Sequence, residues 1–292
     1  METAENLIDQ QQADVNARTY GGVEETPLHL AARRGHKAVA ELLIRHSAEV
    51  NTKDTLGDTP LHWAAWNGDR DMTDLLISHS GEVNVKDTNG ETPLHRAAAY
   101  GHKGVVELLI SHSAEVDTRT NWAGTPLHQA ATHGHKEVAM LLISHSAEVD
   151  AKDQYGVTPL QEAARDGHRE VVELLISHSA EVNVKNKYGS TTLHLAAWKG
   201  HIEVVKLLIS HSAQVNAKNK YGQTPIYTAA YWGHPKVVAV LLCHSAGVDA
   251  ETCGEKTALQ LAEEMGQDDI VDLLRQPIKI SPFWELLLFL LL

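Results

Sequence analysis

The sequence predicts an all-α solenoid of stacked helix-turn-helix units joined by hairpin-like loops. Three observations support this fold class: a strict repeat period, a recurring helix start and a recurring apolar second helix. Glycines at the end of the first predicted helix recur in steps of 33 residues. They are Gly35, Gly68, Gly101, Gly134, Gly167, Gly200, Gly233 and Gly266. A repeat this short cannot bury its own apolar surface, so neighbouring repeats must stack.

Each repeat opens with a threonine that starts the first helix. Thr59 predicts an N-cap, since its hydroxyl can accept a hydrogen bond from an amide of the first turn. Pro60 suits the first helical position, where a missing N–H is harmless. Leu61 and the alanines at 64–65 follow at helical spacing, and Gly68 ends the helix. The equivalent threonines are Thr26, Thr92, Thr125, Thr158, Thr191, Thr224 and Thr257.

A second helix follows each of these glycines. Residues 105–110, with the sequence Val-Val-Glu-Leu-Leu-Ile, carry apolar side chains on more than one stripe, which predicts burial on several sides. The polar stretch that follows the second helix usually contains a glycine, which indicates a tight turn. These turn glycines are Gly57, Gly90, Gly156, Gly189 and Gly222.

The 33-residue period and the Thr-Pro-Leu-His-x-Ala-Ala segment together resemble the ankyrin repeat. The resemblance covers residues 21–276 as eight repeats in one register. It implies a protein-interaction scaffold or adaptor that binds another protein on its concave surface, without enzymatic activity. We expect a cytoplasmic monomer. A regulatory subunit or substrate receptor is an alternative that would need a further effector module.

The two ends depart from the repeat pattern. Residues 1–20 predict a partial N-terminal repeat, which is either a shortened cap or part of a longer array. Residues 277–292 form a short hydrophobic tail that ends in seven apolar residues, fewer than the ~20 that span a bilayer. The tail is a misread gene end, a docking peptide or the start of a membrane helix. The last reading makes a membrane-associated ankyrin protein the alternative function.

Composition narrows the classes of function. The chain has 25 basic and 38 acidic residues, a net charge of −13, which disfavours binding to nucleic acid. Two cysteines fit a reducing compartment and are too few for a disulfide framework. The first twelve residues lack the basic start and apolar stretch of a secretory signal. No motif for a nucleophile, a phosphate or a metal stands out, so we expect no cofactor.

Nineteen histidines suggest a metal site until they are sorted by their place in the repeat. One set ends the Thr-Pro-Leu-His segment, a second follows the glycine and a third precedes a serine, which leaves His133 alone, so we expect hydrogen bonding between neighbouring loops. The first set is His29, His62, His95, His128 and His194. The second is His36, His102, His135, His168, His201 and His234. The third is His46, His79, His112, His145, His178, His211 and His244.

Positions that vary among the repeats predict the binding surface. The resemblance implies that these positions, on the first helices and the loop tips, line the concave groove. Most of the tryptophans and tyrosines fall on them, and aromatic residues are frequent interface anchors. The predicted partner-binding residues are Trp63, Trp66, Arg96, Tyr100, Trp122, Tyr155, Tyr188, Trp198, Tyr221, Tyr231 and Trp232. The three tyrosines at one repeat position, Tyr155, Tyr188 and Tyr221, are equally well explained as structural spacers.

Overall fold

The computed structural model describes residues 13–20, 22–254 and 256–275. It divides into two compact units, Met1–Ala151 (unit 1) and Lys152–Leu292 (unit 2), a division that the uniform repeat period did not predict. Within the described residues all regular secondary structure is helical, so the predicted all-α fold is confirmed.

Each unit contains four pairs of short helices among its described residues. Unit 1 has α1 (Pro27–Arg33), α2 (Lys37–Arg45), α3 (Pro60–Asn67), α4 (Arg70–Ser78), α5 (Pro93–Ala99), α6 (Lys103–Ser111), α7 (Pro126–Thr132) and α8 (Lys136–Ser144). Unit 2 has α9 (Pro159–Asp166), α10 (Arg169–Ser177), α11 (Thr192–Lys199), α12 (Ile202–Ser210), α13 (Pro225–Tyr231), α14 (Pro235–Cys243), α15 (Ala258–Glu264) and α16 (Asp268–Arg275).

Helix-to-helix packing follows the repeat. In unit 1 the first helices α1, α3, α5 and α7 pack side by side, as do the second helices α2, α4, α6 and α8. Unit 2 repeats this arrangement. The alanine pairs of the first helices α1 to α13 are fully or almost fully buried, as at Ala64 and Ala65, because a small side chain lets the next helix approach. Leu61, on a first helix, and Leu76, on a second helix, are almost completely buried.

The helix starts use both the threonine and the histidine of the Thr-Pro-Leu-His segment. The backbone N–H of Thr59 donates to Nδ1 of His62 at 3.1 Å, and the Thr59 hydroxyl lies 2.9 Å from the same atom. The threonine side chain caps the backbone of the third helical residue in return, which makes a capping box. The sequence predicted the threonine half of this arrangement. The histidine half was missed because a capping box usually carries Glu or Gln at that position.

Asparagine side chains connect successive loops. Asn51 Nδ2 donates to the carbonyl of Ser80 at 2.9 Å, and its Oδ1 accepts from the N–H of Glu82 at 2.8 Å. Asn84 makes the same pair of bonds one repeat later, as do Asn183 and Asn216 in unit 2. Each of these four asparagines therefore fixes its loop to the next by two polar bonds, in addition to helix packing.

The three histidine sets behave differently. In the first set, His62 Nε2 reaches the carbonyl of Glu91, and in the second, His102 Nε2 reaches the carbonyl of Trp66, so the prediction of bonding between repeats is confirmed for both. For the third set it is wrong. Nδ1 of His112 bonds to the carbonyl of Leu108 in the same helix, since the last turn leaves carbonyls without an intrahelical partner.

The chain ends are described only in part. Within residues 13–20, Asn16 bonds to the Ser47 carbonyl and the Glu49 N–H, the same pattern as the later asparagines. This pattern agrees with a partial repeat over residues 1–20, which stays a proposal. The predicted tail, residues 277–292, lies outside the described residues. No helix in the described part of the chain has the length and hydropathy needed to cross a membrane.

Candidate functional site

Three aromatic side chains of unit 1 form a continuous cluster on successive first helices. The rings of Trp63 and Trp66 meet edge to face with centroids 5.9 Å apart, and Trp66 meets Tyr100 in the same way at 5.5 Å. Tyr100 also stacks on His102 at 6.3 Å. Trp66 and Tyr100 remain 37% and 49% exposed. We call Trp63, Trp66 and Tyr100 the aromatic surface of unit 1.

The side chain of Trp122 lies on the loop before α7 and is 49% exposed. It occupies the same repeat position as Leu56, which is equally exposed, and as Asn89. The backbone at this loop is held by its neighbour, because the Asn121 N–H donates to the Asn89 carbonyl at 2.9 Å. The structure thus places Trp122 at an exposed loop tip, as the repeat position predicts.

The predicted partner-binding residue Arg96 is engaged within its own unit. Its guanidinium bonds to Asp87 at 2.7 Å and contacts Glu91 at 3.2 Å and Asp58 at 3.5 Å. Burial raises the pKa of Asp58 to about 7, an effect that Arg96 partly offsets. Asp58 and Arg96 line a groove of 240 Å³ beside Trp63 and Trp66.

In unit 2 the three tyrosines stand at successive loop tips. The Tyr155 and Tyr188 rings stack with centroids 6.5 Å apart and planes inclined by 20°. Their loops are joined by backbone bonds, from Lys187 N–H to the Tyr155 carbonyl at 2.8 Å and from Lys220 N–H to the Tyr188 carbonyl at 3.0 Å. All three rings remain about half exposed. The backbone therefore spaces the loops, and the rings stay accessible.

The other predicted partner-binding aromatics of unit 2 cluster at the ends of α11 and α13. Trp198 and Trp232 lie 5.9 Å apart, and Tyr231 meets Trp232 edge to face at 5.4 Å. Trp232 is 52% exposed. Lys199 Nζ lies 4.5 Å from the centre of the Trp198 ring, a cation–π contact. We call Tyr155, Tyr188, Tyr221, Trp198, Tyr231 and Trp232 the aromatic surface of unit 2.

A groove of 390 Å³ opens within the aromatic surface of unit 2. Five of these six aromatic residues line it, all except Tyr231. Three charged residues, Asp153, Glu162 and Arg165, also line it. Glu162 and Arg165 stand at variable positions that the family resemblance implies for the groove, whereas Asp153 was not among the predicted positions. A signal for Asp153 was present in the repeat alignment, because it stands where the next two repeats carry Asn186 and Asn219.

The described residues contain no group of three or more His, Cys, Asp or Glu side chains placed to hold a metal ion. The two grooves are instead lined by ring faces and edges, with a few charged groups at their walls. This composition suits recognition of a side chain or a peptide segment, since aromatic residues provide large contact areas at a small loss of side-chain entropy.

The family models that match this sequence agree with the repeated helix pairs of the structure. The model described as ankyrin repeats (3 copies) matches residues 1–87, 76–153 and 142–219, and the model described as ankyrin repeats (many copies) matches residues 199–242. A comparison with curated proteins finds no match. Ankyrin repeats are generally protein-interaction modules. With matches over most of its length and a helix pair at every repeat from 27 to 275, the chain belongs to the ankyrin-repeat family.

Proposed function

We propose that this protein is a scaffold or adaptor that binds a partner protein through the aromatic surfaces of its two units, on their concave faces. The observation that carries the proposal is the row of exposed aromatic side chains at first-helix ends and loop tips. Half-exposed tryptophans and tyrosines in clusters are unusual on a protein surface without a binding role.

Rigidity of the surrounding backbone supports this proposal. The loop that carries Tyr188 is bonded to both neighbouring loops, and Trp66 is held between Trp63 and Tyr100. Association loses less conformational entropy when the contact residues are already ordered. Aromatic residues at such positions are also the ones whose truncation most often weakens an interface by ~2 kcal/mol or more.

Charge favours a protein partner over a nucleic acid. The net charge of −13 repels phosphate groups, and Arg96 and Arg165, which lie beside the two grooves, are already paired with carboxylates. Neither groove therefore offers a free guanidinium to a phosphate. Apolar ring surface bordered by charged groups is instead the usual composition of a protein interface.

The test is an affinity capture from cell lysate with variants that remove exposed rings from one unit at a time. Trp66→Ala with Tyr100→Ala tests unit 1, and Tyr188→Ala with Trp232→Ala tests unit 2. These side chains are exposed, so the variants are expected to keep the wild-type helicity and melting temperature. Partners identified by mass spectrometry are then produced in isolation and their affinity is measured directly.

Matched controls remove exposed side chains from the second helices. Met140→Ala on α8 removes an exposed apolar side chain from unit 1, and Glu173→Ala on α10 removes an exposed side chain from unit 2. We expect a purified partner to bind both controls as it binds the wild type and to lose at least tenfold in affinity for a ring variant. Equal binding to all variants would exclude the aromatic surfaces as the site.

A further inference from the structure

We infer that the groove of unit 2 binds a cationic side chain, arginine or lysine, from an extended segment of the partner protein. This inference rests on the proposed function and names the chemistry of what enters this groove. Three features of the groove lead to it: its ring walls, its excess of negative charge and a carboxylate whose charge the fold does not require.

The groove has the size and walls of a side-chain pocket. Its volume of 390 Å³ falls within the range of about 300–1,000 Å³ that ligand pockets occupy. The rings of Tyr188, Tyr221, Trp198 and Trp232 line it. The face of an aromatic ring attracts a cation, and Lys199 already shows this on Trp198 at 4.5 Å.

The charged groups at the groove are unbalanced. Arg165 bonds to Asp166 through two nitrogens, at 2.8 and 3.2 Å, and also contacts Glu162. With Asp153 on the same wall, three carboxylates lie near two cations, the Arg165 guanidinium and the Lys199 ammonium on the Trp198 ring. Burial raises the pKa of Glu162, and Asp166 and Asp153 add to this, while Arg165 acts in the opposite direction. One negative charge remains in excess, so a further cation in the groove would be attracted and an anion repelled.

The negative charge of Asp153 is not needed by its loop. Its Oδ1 accepts from the N–H groups of Tyr155 and Val157 at 2.8 Å each. Asn186 and Asn219 perform the same role in the next two repeats with a neutral amide oxygen at 2.9–3.1 Å. The fold thus tolerates a neutral residue at this position, and the charge is available for a ligand.

The test begins with a selection of random twelve-residue peptides on the full chain. Enriched peptides are synthesised with a fluorescent label, and their binding is measured by anisotropy. Each arginine is then replaced by citrulline and each lysine by acetyl-lysine, which keep the length of the side chain and remove its charge. We expect peptides that compete for the groove to lose at least about tenfold in affinity when one particular cation is neutralised.

Variants of the protein test the negative charge of the groove, as the modified peptides test the positive charge of the ligand. Asp153→Asn with Glu162→Gln removes two negative charges from the groove, whereas Glu173→Gln with Glu203→Gln removes two from the exposed faces of α10 and α12. We expect the first pair to weaken the selected peptides about tenfold and the second pair to change their affinity less than twofold. The larger effect should persist at raised salt, because the groove charges are partly buried.

The outcomes separate this inference from the proposed function. Peptides that lose binding in Tyr188→Ala with Trp232→Ala but contain no required cation would overturn the cation site and leave the aromatic interface standing. A selection that yields no groove-dependent peptide would also overturn the cation site. The lysate capture with ring variants would then decide the proposed function by itself.

Discussion

Nε2 of His62 lies 3.2 Å from the backbone carbonyl oxygen of Glu91 in the next repeat, while Nδ1 accepts the N–H of Thr59. A ring that accepts at Nδ1 and donates at Nε2 is neutral, and burial lowers the pKa of His62 to about 4. Gln161 occupies this position in unit 2 with an uncharged amide, which accepts from Thr158 and donates to the Val184 carbonyl. His62 and Gln161 therefore supply the same acceptor and donor at this position without a charge.

This arrangement predicts how stability depends on pH. His62 and His95 both have a folded pKa near 4 against 6.5 in the unfolded chain, so the unfolded chain binds more protons between these values. Stability is therefore full above pH 6.5 and falls as the pH decreases towards 4. Each histidine accounts for about 2 kcal/mol of the loss between pH 6.5 and 5.

The substitution His62→Gln with His95→Gln should make the free energy of unfolding less dependent on pH over that interval. Urea unfolding at several pH values measures the slope. The reciprocal variant, Gln161→His, adds a titratable ring in unit 2 and should steepen the slope. Unchanged slopes in both variants would contradict the neutral-histidine assignment.

An aspartate interrupts the asparagine pattern of unit 1. Oδ1 of Asp117 accepts from the Glu148 N–H at 3.0 Å, but its carboxylate cannot donate to the Ser146 carbonyl as Asn84 donates to Ser113. We expect Asp117→Asn to add this bond and to stabilise the fold by about 1 kcal/mol. The reverse change, Asn84→Asp, should destabilise it by a similar amount. Thermal and urea unfolding of both variants measure these changes in stability. Destabilisation by Asp117→Asn would contradict the prediction that the amide adds a hydrogen bond.

Serine occupies a left-handed position after each second helix that lies in a regular repeat, as at Ser113 with φ 65°. Glycine adopts this conformation without the Cβ clash, so Ser113→Gly should stabilise the fold by up to ~1 kcal/mol. Ser111→Gly is the control within the same helix end. It removes the hydroxyl bond to the Leu108 carbonyl and places glycine inside a helix, and it should lower the unfolding midpoint.

At Gly68, Gly101, Gly167 and Gly200, the glycine that ends the first helix faces a histidine from the next repeat. A Cβ on Gly68, which has φ 71°, would lie 2.3 Å from Nδ1 of His102, whose ring is held by its bond to the Trp66 carbonyl. Gly68→Ala should destabilise the fold by about 3 kcal/mol, since it adds both backbone strain and a clash. At Gly266, with φ 65°, the same change meets nothing among the described residues within 4 Å and should introduce only the strain, about 1 kcal/mol. Equal losses of stability in the two variants would show that the clash with His102 does not contribute at Gly68.

The ion pairs of Arg96 lead to a second prediction of how stability depends on pH. Arg96→Met leaves Asp58, Asp87 and Glu91 without their guanidinium and should destabilise the fold by about 3 kcal/mol at pH 7.5. Burial raises the pKa of Asp58 to about 7, so protonation on acidification relieves the unpaired charge. Because Arg96 lowers the pKa of Asp58, its loss moves that pKa above 7, and the difference from wild type should shrink as the pH falls towards 7. Urea unfolding of both proteins at matched pH measures this difference, and a constant one would argue against the ion pairs as its cause.

Much of the fold could be predicted from the sequence because its signals are local and repeated. Thr59, Pro60 and Gly68 act on backbone atoms within a few residues, and the 33-residue period shows that the same unit recurs. The exposed aromatics could be found in the same way, because a position that varies among otherwise similar repeats is not required by the repeat itself.

What the sequence by itself determined is the all-α repeat architecture, the register of the helix pairs and the positions at which variable aromatic side chains stand. Only the tertiary structure decided which of these rings touch, that Arg96 is committed to three carboxylates of its own unit, and that Asp153 and Glu162 share a groove with Trp232. The physical reason is the distance along the chain over which each interaction acts. Capping and helix termination act over a few bonds, whereas a groove and its charge depend on how side chains from successive repeats orient towards one another once the helices have packed.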